Sequence, residues 1–301
     1  MGETQYEVII IGGSYSGLSA AMALGRSLRK VLVIDSGKPC NEQTPHSHNF
    51  LTQDGKTPKE IASLAKKQVE EYDTVSFYHG KAINIKKTEN GFEIITENGE
   101  TLSSKKLIIA TGITDEIPDI KGFKESWGIS LIHCPYCHGY EYKGKKTGII
   151  AHGDKAVHIS SLVKNLTENV TILTRGKANF SEEQLEKLKN NQIKIIETEI
   201  SELKNENGHV KSLVFIDGKE INFEAVYGAF PFQQHSDIPK ILGCEFTEFG
   251  HIKTDFMQKT NIPGVFVCGD NSSMMRSVSN SVMTGNVAGA MVNMELVTDC
   301  F

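Results

Sequence analysis

Two cysteines three positions apart are the residues of this sequence best suited to chemistry. Cys134 and Cys137 enclose Pro135 and Tyr136, and His138 follows directly. Two thiols at this spacing at a helix start can close a small disulfide, and the positive end of a helix favours the thiolate. Pro135 suits the first helical position, where its missing N–H removes no hydrogen bond. Because an imidazole exchanges protons at neutral pH, the group predicts thiol–disulfide chemistry with His138 as a proton shuttle.

Three other interpretations of these residues stay open. Structural zinc would need further ligands, and although His133 is adjacent there is no second C-x-x-C, so no metal site is predicted. The string 134–138 also matches the C-x-x-C-H pattern of covalent haem attachment, which normally accompanies export, and no signal peptide is visible. The third interpretation is a pair of inert buried cysteines. The redox disulfide is favoured because a dinucleotide-type domain is predicted on each side of it.

A glycine-rich turn near the N-terminus predicts a dinucleotide site. The turn Gly12–Gly17 follows the apolar strand Val8–Ile11 and opens a helix rich in alanine and leucine. Glycines there allow backbone N–H groups to approach a pyrophosphate. Ser14 replaces the middle glycine and can donate its hydroxyl to phosphate, and Asp35 ends the next strand, where a carboxylate can accept from a ribose hydroxyl.

The same pattern recurs in the middle of the chain in a weaker form. The turn 151–156 has alanine at the first glycine position, although Gly153 is kept, and Asp154 would direct a negative charge at a phosphate beside Lys155. After the following strand, Arg175 alone could meet a 2′-phosphate. Nucleotide binding and a purely structural turn are both compatible with this pattern.

The arrangement of elements predicts an α/β protein with two Rossmann-like domains of three layers, the second inserted into the first. Near the C-terminus a strand and a turn ending at Asp270 precede a helix that has no partners of its own, so this part is expected to return to the first sheet. An aspartate at such a strand end can hold a ribitol hydroxyl. The predicted strands contain residues 8–11, 31–34, 83–85, 92–96, 107–110, 147–151, 170–174 and 265–268, and the helices residues 18–28, 59–72, 157–166, 182–190 and 279 onward.

Composition narrows the class of protein. The 301 residues are enough for two domains, and 37 acidic against 32 basic residues give a net charge of −5, so a nucleic-acid partner is not expected. No apolar stretch approaches the length of a membrane span. Six cysteines are too few for a disulfide framework in a chain of this length, which favours a reducing, cytoplasmic location.

Taken in order, these motifs resemble those of the low-molecular-weight thioredoxin reductases and related pyridine nucleotide-disulfide oxidoreductases. The resemblance runs through the glycine-rich turn, the Ala110-Thr111-Gly112 string, the cysteine pair and residues 264–270. It implies an FAD-binding domain of residues 1–117 and 243–301, an NAD(P)-binding-like domain of residues 118–242, and a homodimer. The cofactor-binding residues that it implies are Gly12, Ser14, Tyr15, Ser16, Gly17, Asp35, Ser36, Ala110, Thr111, Gly112, Gly269, Asp270, Ser277 and Val278, with Gly153, Asp154, Lys155 and Arg175 as candidates for NAD(P).

The resemblance also implies roles for the cysteine pair. Cys137 looks like the thiol nearest the flavin, Cys134 is similar to the thiol that meets the substrate, and His138 stands where ordinary thioredoxin reductases have an aspartate. Segments 134–141 and 47–55 look closer to the branch with gliotoxin- and holomycin-type dithiol oxidases, which pass electrons to oxygen. FAD is therefore expected, and use of NADPH is doubtful.

The predicted protein is an FAD-dependent thiol/disulfide oxidoreductase that acts on a thioredoxin-like protein or on a small-molecule or peptide dithiol or disulfide. The alternatives are a dithiol oxidase that uses oxygen, a reductase with another electron donor, and, less favoured, an electron carrier without enzymatic activity. His46 and His48 lie in a loop that either faces the flavin or substrate or is a plain connection.

Overall fold

The computed structural model of the chain describes residues 5–300 and forms two compact units. In chain order the strands and helices are β1 (Gln5–Ile11), α1 (Tyr15–Arg26), β2 (Val31–Asp35), α2 (Pro58–Glu70), β3 (Val75–His79), β4 (Ala82–Thr88), β5 (Gly91–Thr96), β6 (Thr101–Ile109), β7 (Ile113–Asp115), α3 (Phe123–Ser126), β8 (Leu131–Ile132), α4 (Pro135–His138), a 3-10 turn (Tyr140–Tyr142), β9 (Thr147–Ile150), α5 (Gly153–Lys164), β10 (Val170–Leu173), α6 (Glu182–Asn190), β11 (Lys194–Ile196), β12 (Ile200–Glu206), β13 (His209–Phe215), β14 (Glu220–Asn222), β15 (Ala225–Gly228), β16 (Phe232–Gln234), α7 (Ile238–Leu242), β17 (Val265–Val267) and α8 (Val278–Thr298).

The division of the chain differs in detail from the predicted domain boundaries. Unit 1 contains the residues up to Glu42, residues 49–114 and the residues from Phe232 onward, and unit 2 contains residues 43–48 and 115–231. Residues 232–242, expected in the inserted domain, belong to unit 1 because Ile238 is buried in its core. The short segment 43–48, expected in the first domain, belongs to unit 2. The nucleotide assigned to each domain stays a prediction.

The sheet of unit 1 is parallel through its centre. Its strand order is β3-β2-β1-β6-β5-β4, with β17 beside the C-terminal half of β6. The strands β3, β2, β1, β6 and β17 run parallel, whereas β5 pairs antiparallel with β6 and β4 pairs antiparallel with β5. The pairing of β17 with β6 confirms that the C-terminal part of the chain returns to the first sheet.

Both faces of this sheet are covered, which explains why residues 8–11, 31–34 and 107–109 of its central strands are apolar. Helices α1 and α8 pack on one face, and their backbones approach closely because Gly285 and Gly289 have no side chain. A Cβ on Gly285 would lie 2.1 Å from the backbone oxygen of Ser16. On the other face, apolar residues of β1, β2, β6 and β17 form a core with residues of β4 and β5, at one end of the same sheet, and with the region around α7.

Unit 2 has a five-stranded parallel sheet of order β11-β10-β9-β15-β8 and a separate antiparallel sheet of β12, β13 and β14. Its first crossover is β9-α5-β10, and β8 leads directly into the cysteine pair. Each unit therefore has the β-α-β unit of a Rossmann-like fold, as predicted. Across residues 5–300 no helix combines the length and the apolar character that a membrane crossing needs.

Candidate functional site

The cysteine pair lies on one short helical turn of unit 2. Cys134 caps the N-terminus of α4 and Pro135 takes the first helical position, as predicted. The N–H of Cys137 donates to Sγ of Cys134 at 3.2 Å, which stabilises negative charge on that sulfur. Both thiols are half-buried. The helix is a single turn, so this local N–H, rather than the dipole of a long helix, is what acts on Cys134.

His138 ends α4, four positions after Cys134 and therefore on the same face of the turn. Burial lowers the pKa of His138 below its usual value, the negative charge of Glu141 raises it in part, and the positive charge of His48 lowers it again. The pKa stays below its usual value of 6.5. At neutral pH the imidazole is therefore uncharged and can accept a proton from a thiol.

Segment 43–48 brings two further histidines into this part of unit 2. Nε2 of His48 lies 3.5 Å from Oε1 of Glu141, and the rings of His48 and His138 meet edge-on with centroids 6.4 Å apart. The His46 ring is 6.4 Å from that of His48. The loop therefore places His48 beside the predicted acid/base His138.

A buried tyrosine lies beneath the turn that carries the thiols. Tyr227 on β15 is 1% exposed, and a Cβ on Gly139 would lie 3.1 Å from its hydroxyl oxygen. Burial raises the pKa of Tyr227, and nearby negative charge at the two thiols raises it further. The phenol is therefore a neutral group in the floor of the site, and glycine at position 139 is required for this close approach.

In unit 1 the glycine-rich turn is shaped by direct contact with the neighbouring strand ends. Gly12 adopts a φ of 108°, and a Cβ there would lie 2.2 Å from the carbonyl oxygen of Ala110. A Cβ on Gly17 would lie 1.8 Å from the oxygen of Gly12. The N–H of Gly13 donates to Oδ1 of Asp35 at 3.0 Å, so the carboxylate is fixed at the turn.

The loop after β17 is held by side chains of α8. The N–H of Gly269 donates to Oγ1 of Thr284 at 3.0 Å, and Oγ of Ser281 donates to Oδ1 of Asp270 at 3.5 Å. Arg276 forms an ion pair with Asp270 at 3.9 Å. Beside them, the amide nitrogen of the fully buried Asn271 donates to the carbonyl of Ile109 at 3.1 Å.

The structure brings the predicted cofactor-binding residues of unit 1 to one edge of its sheet. The strands β1, β2, β6 and β17 run parallel, so the residues that follow them share the carboxyl edge, and Ser277 caps the start of α8. Tyr15 begins α1, and its hydroxyl donates to the carbonyl of Pro58. The residues at that edge are Gly12, Ser14, Ser16, Gly17, Asp35, Ser36, Ala110, Thr111, Gly112, Gly269 and Asp270.

These residues fit an FAD molecule. The glycines leave room for a pyrophosphate at the N-terminus of α1, whose first turn has no acidic residue. Within the described part of the chain the Ser14 hydroxyl makes no capping bond and Oδ1 of the buried Asn271 has no partner. Both atoms are polar groups that a bound cofactor would satisfy.

The second turn, in unit 2, is a poorer phosphate site. Gly153 has a φ of 50° and begins α5, but Asp154 lies in the first turn of the helix and accepts from Nε2 of Gln184 at 2.6 Å. Arg175 follows β10 in a left-handed conformation, with a φ of 50°. Lys155 is exposed. The carboxylate of Asp154 lies where a pyrophosphate would need positive charge.

Several residues of these sites were not found from the sequence. Thr284 and Gly285 lie in an apolar helix, and a helical pattern does not reveal which small residues touch a distant loop. Glu141 lies in segment 134–141 but was not predicted as a residue of the site. The signal that could have identified Glu141 is an acidic residue just after a predicted acid/base histidine.

Comparison with known proteins agrees with this arrangement. A family profile for pyridine nucleotide-disulphide oxidoreductases matches residues 6–285. Thioredoxin reductase tcpT of Claviceps purpurea is 32% identical, covering 97% of this chain and 95% of that protein, and thioredoxin reductase aclD of Aspergillus oryzae is 30% identical, covering 98% and 97%. A solved structure of an oxidoreductase from Agrobacterium tumefaciens is 36% identical with a TM-score of 0.92, covering 98% of this chain and 99% of that one. The crystal structure of HlmI is 29% identical with a TM-score of 0.92, covering 99% and 95%.

Proposed function

The chain belongs to the pyridine nucleotide-disulphide oxidoreductase family, and we propose that it exchanges electrons with an external dithiol or disulfide through Cys134 and Cys137. The predicted resemblance to thioredoxin reductases is confirmed, and the protein is a thioredoxin reductase-like, FAD-dependent enzyme. The roles of the individual residues are the proposal. The observation that carries it is the hydrogen bond from the N–H of Cys137 to Sγ of Cys134 on the same turn as an uncharged imidazole.

The proposed steps follow from the chemistry of the thiols. In the oxidising direction, neutral His138 accepts the proton of a substrate thiol, and the resulting thiolate attacks Sγ of Cys134 in the Cys134–Cys137 disulfide. The disulfide bond breaks and Cys137 leaves as a thiolate. His138 passes its proton to solvent and then accepts that of the second substrate thiol, whose thiolate attacks the first substrate sulfur, forms the substrate disulfide and releases Cys134 as a thiolate. Two electrons have passed to the protein thiols, and reduction of a disulfide is the reverse sequence.

FAD, when bound, accepts or supplies this electron pair. The residues proposed to hold it are those at the carboxyl edge of the sheet in unit 1. Gly12 and Gly17 would leave space for the pyrophosphate, Asp35 would accept from the ribose, and Asp270 would accept from the ribitol.

Trapping a mixed disulfide tests the roles of the two thiols. Cys40 and Cys300 are exposed, so both are first replaced by serine to remove background reactions. In that background Cys137→Ser is expected to retain an aryl adduct on Cys134 after treatment with an aromatic disulfide reagent, as seen by intact mass and peptide mapping. The intact pair should instead release both aryl thiolates and close its own disulfide. Faster adduct formation on Cys137 in the Cys134→Ser variant would contradict the assignment.

A second candidate is a dithiol oxidase that uses oxygen and makes little use of NADPH. The observation that favours it is Asp154 in the first turn of α5, bonded to Gln184 at the place of a nucleotide pyrophosphate. Anaerobic rapid mixing of the FAD-loaded protein with NADPH or NADH separates the candidates. Absence of flavin bleaching on the time scale of turnover is expected for the oxidase, whereas rapid bleaching would refute it.

We further propose a homodimer that acts in the cytoplasm on a thioredoxin-like protein or on a small-molecule or peptide dithiol or disulfide. Six cysteines in 301 residues are too few for a disulfide framework, which suits a reducing compartment. Light scattering coupled to size-exclusion chromatography would measure the oligomeric state. Turnover with thioredoxin and with small dithiols would identify the substrate class.

A further inference from the structure

Two side chains from separate parts of the sequence meet beside His138. His48 belongs to segment 43–48, and Glu141 belongs to the 3-10 turn that follows α4. Their polar atoms are 3.5 Å apart, with the His48 side chain 22% exposed and that of Glu141 37% exposed. The edge-on packing of the His48 and His138 rings places a second titratable group against the proposed base.

We propose that Glu141 and His48 are positioning residues that set the pH range in which His138 accepts protons from thiols. This inference rests on the proposed function and deepens it, because it assigns a catalytic purpose to a loop segment far from the cysteines in the sequence. Segment 43–48 is then a part of the thiol site and not a connection between strands.

The opposing charges of the pair explain why both residues are needed. Glu141 alone would raise the pKa of His138 and leave more of the imidazole protonated, and a protonated ring cannot take a proton from a substrate thiol. The positive charge that His48 carries when protonated offsets Glu141. Burial then remains the dominant influence and keeps the pKa of His138 low.

The other groups around α4 contribute little charge at neutral pH. Helix α5 packs against α4 and buries only Ala156, Ser160 and Val163, none of which titrates. Burial raises the pKa of the phenols of Tyr142 and Tyr227, so both are neutral. The remaining titratable groups of α4 and its N-cap are the two thiols and the exposed phenol of Tyr136, and the thiols can be removed by substitution.

Segment 43–48 is itself held in place by a close backbone approach. Gly128 has a φ of 77°, and a Cβ there would lie 2.8 Å from Nε2 of Gln43 and 3.0 Å from Oγ1 of Thr44. Thr44 and Ser47 are buried. The segment therefore packs in one defined position in unit 2, which fixes the position of His48.

The test is a pH titration of the His138 ring by NMR in a protein whose Cys134 and Cys137 are both replaced by serine. This background removes thiol titration and requires no turnover. His48→Gln is expected to raise the pKa of His138 and Glu141→Gln to lower it, with a matched control, His158→Gln on the exposed face of α5, leaving it unchanged. Loss of one resonance in a His138→Asn variant assigns the signal.

Shifts of the same sign in the two variants, or no shift in either, would overturn the inference. Far-UV circular dichroism and the rest of the histidine spectrum check that each variant is folded, and Glu141→Asp supplies a second variant that keeps the charge and should leave the pKa near that of the parent. In the protein with both thiols, the acid limb of dithiol oxidation should move in the direction of each titration. If the titrations shift as expected but Cys134 forms no adduct in the trapping experiment, the proposed function fails while the coupling stands.

Discussion

Thr284 offers a direct test of how the FAD site is held, because one hydroxyl connects α8 to the loop after β17. Its Oγ1 accepts from the N–H of Gly269 at 3.0 Å and donates to the carbonyl of Asn280 at 2.8 Å. Thr284 is 4% exposed, so water cannot replace a lost partner. Thr284→Val keeps the shape of the side chain and removes only its hydrogen-bonding capacity.

The expected loss follows from leaving the Gly269 N–H buried and unsatisfied. Such a group costs about 1–3 kcal/mol. If the loop avoids that cost by moving Asp270 away from the ribitol position, FAD affinity falls by roughly fivefold to 150-fold, since each 1.4 kcal/mol corresponds to about a factor of ten. Titration of the apoprotein with FAD, followed by flavin fluorescence, measures the dissociation constant.

Thr284→Ser is the matched control, because it keeps the hydroxyl and loses only a methyl group. It should bind FAD nearly as the parent does. Equal FAD affinity of the valine variant and the parent would refute the proposed connection between this hydrogen bond and the cofactor. Equal losses in the valine and serine variants would attribute the effect to packing.

Three further changes should have measurable results. Gly17→Ala places a methyl group 1.8 Å from the oxygen of Gly12, so the protein should purify without flavin absorbance; retained yellow colour would contradict the fit of FAD to this turn. Burial lowers the pKa of both His138 and His251, so below about pH 6.5 the unfolded chain binds protons before the folded one and thermal stability should fall as the pH falls. The fall should be smaller in glutamine variants of either residue. The same dependence of melting temperature on pH in the parent and the variants would contradict this expectation. Glu295→Gln breaks the ion pairs of Glu295 with Lys259 at 2.8 Å and with Lys106 at 3.1 Å. It should lower the free energy of unfolding by roughly 1 kcal/mol, and by less at high salt. A loss of stability that does not depend on salt would contradict an ionic origin.

The fold was predictable where local pattern and tertiary role agree. The apolar run of β1, the glycine turn and the helix α1 form one strong β-α signal. The Asn-Gly pairs at 90–91 and 98–99, which are typical of tight hairpin turns, lie between the antiparallel strands β4, β5 and β6. Strands β3, β8, β11 and β15 were not predicted. They are two to five residues long, and β3 alternates polar and apolar residues at the sheet edge, so their strand character comes from pairing with neighbours and not from their own sequence.

The site was predictable where chemistry is local in the sequence. The cysteine pair, Pro135 and His138 are adjacent, and the helical turn that joins them follows from the residue types. The position of His48 beside His138 was not predictable, because segment 43–48 belongs to unit 2 while its neighbours on both sides in the sequence belong to unit 1. No periodic pattern in the sequence predicts that this segment belongs to unit 2. Gly128 leaves space for the side chains of the segment, but this role can be recognised only from the contact between them.

The two β-α turns show how one backbone pattern can keep its geometry and change its chemistry. Both α1 and α5 follow a parallel strand and begin at residues without a capping side chain, so both present backbone N–H groups. In the first turn of α1 there is no acidic residue, whereas α5 has Asp154 there. A carboxylate at a helix N-terminus stabilises the helix by the same electrostatics that a bound phosphate would use. The negative charge of Asp154 at the start of α5 favours the folded unit and opposes a nucleotide, which is why strong Rossmann-like geometry in unit 2 does not by itself argue for NADPH.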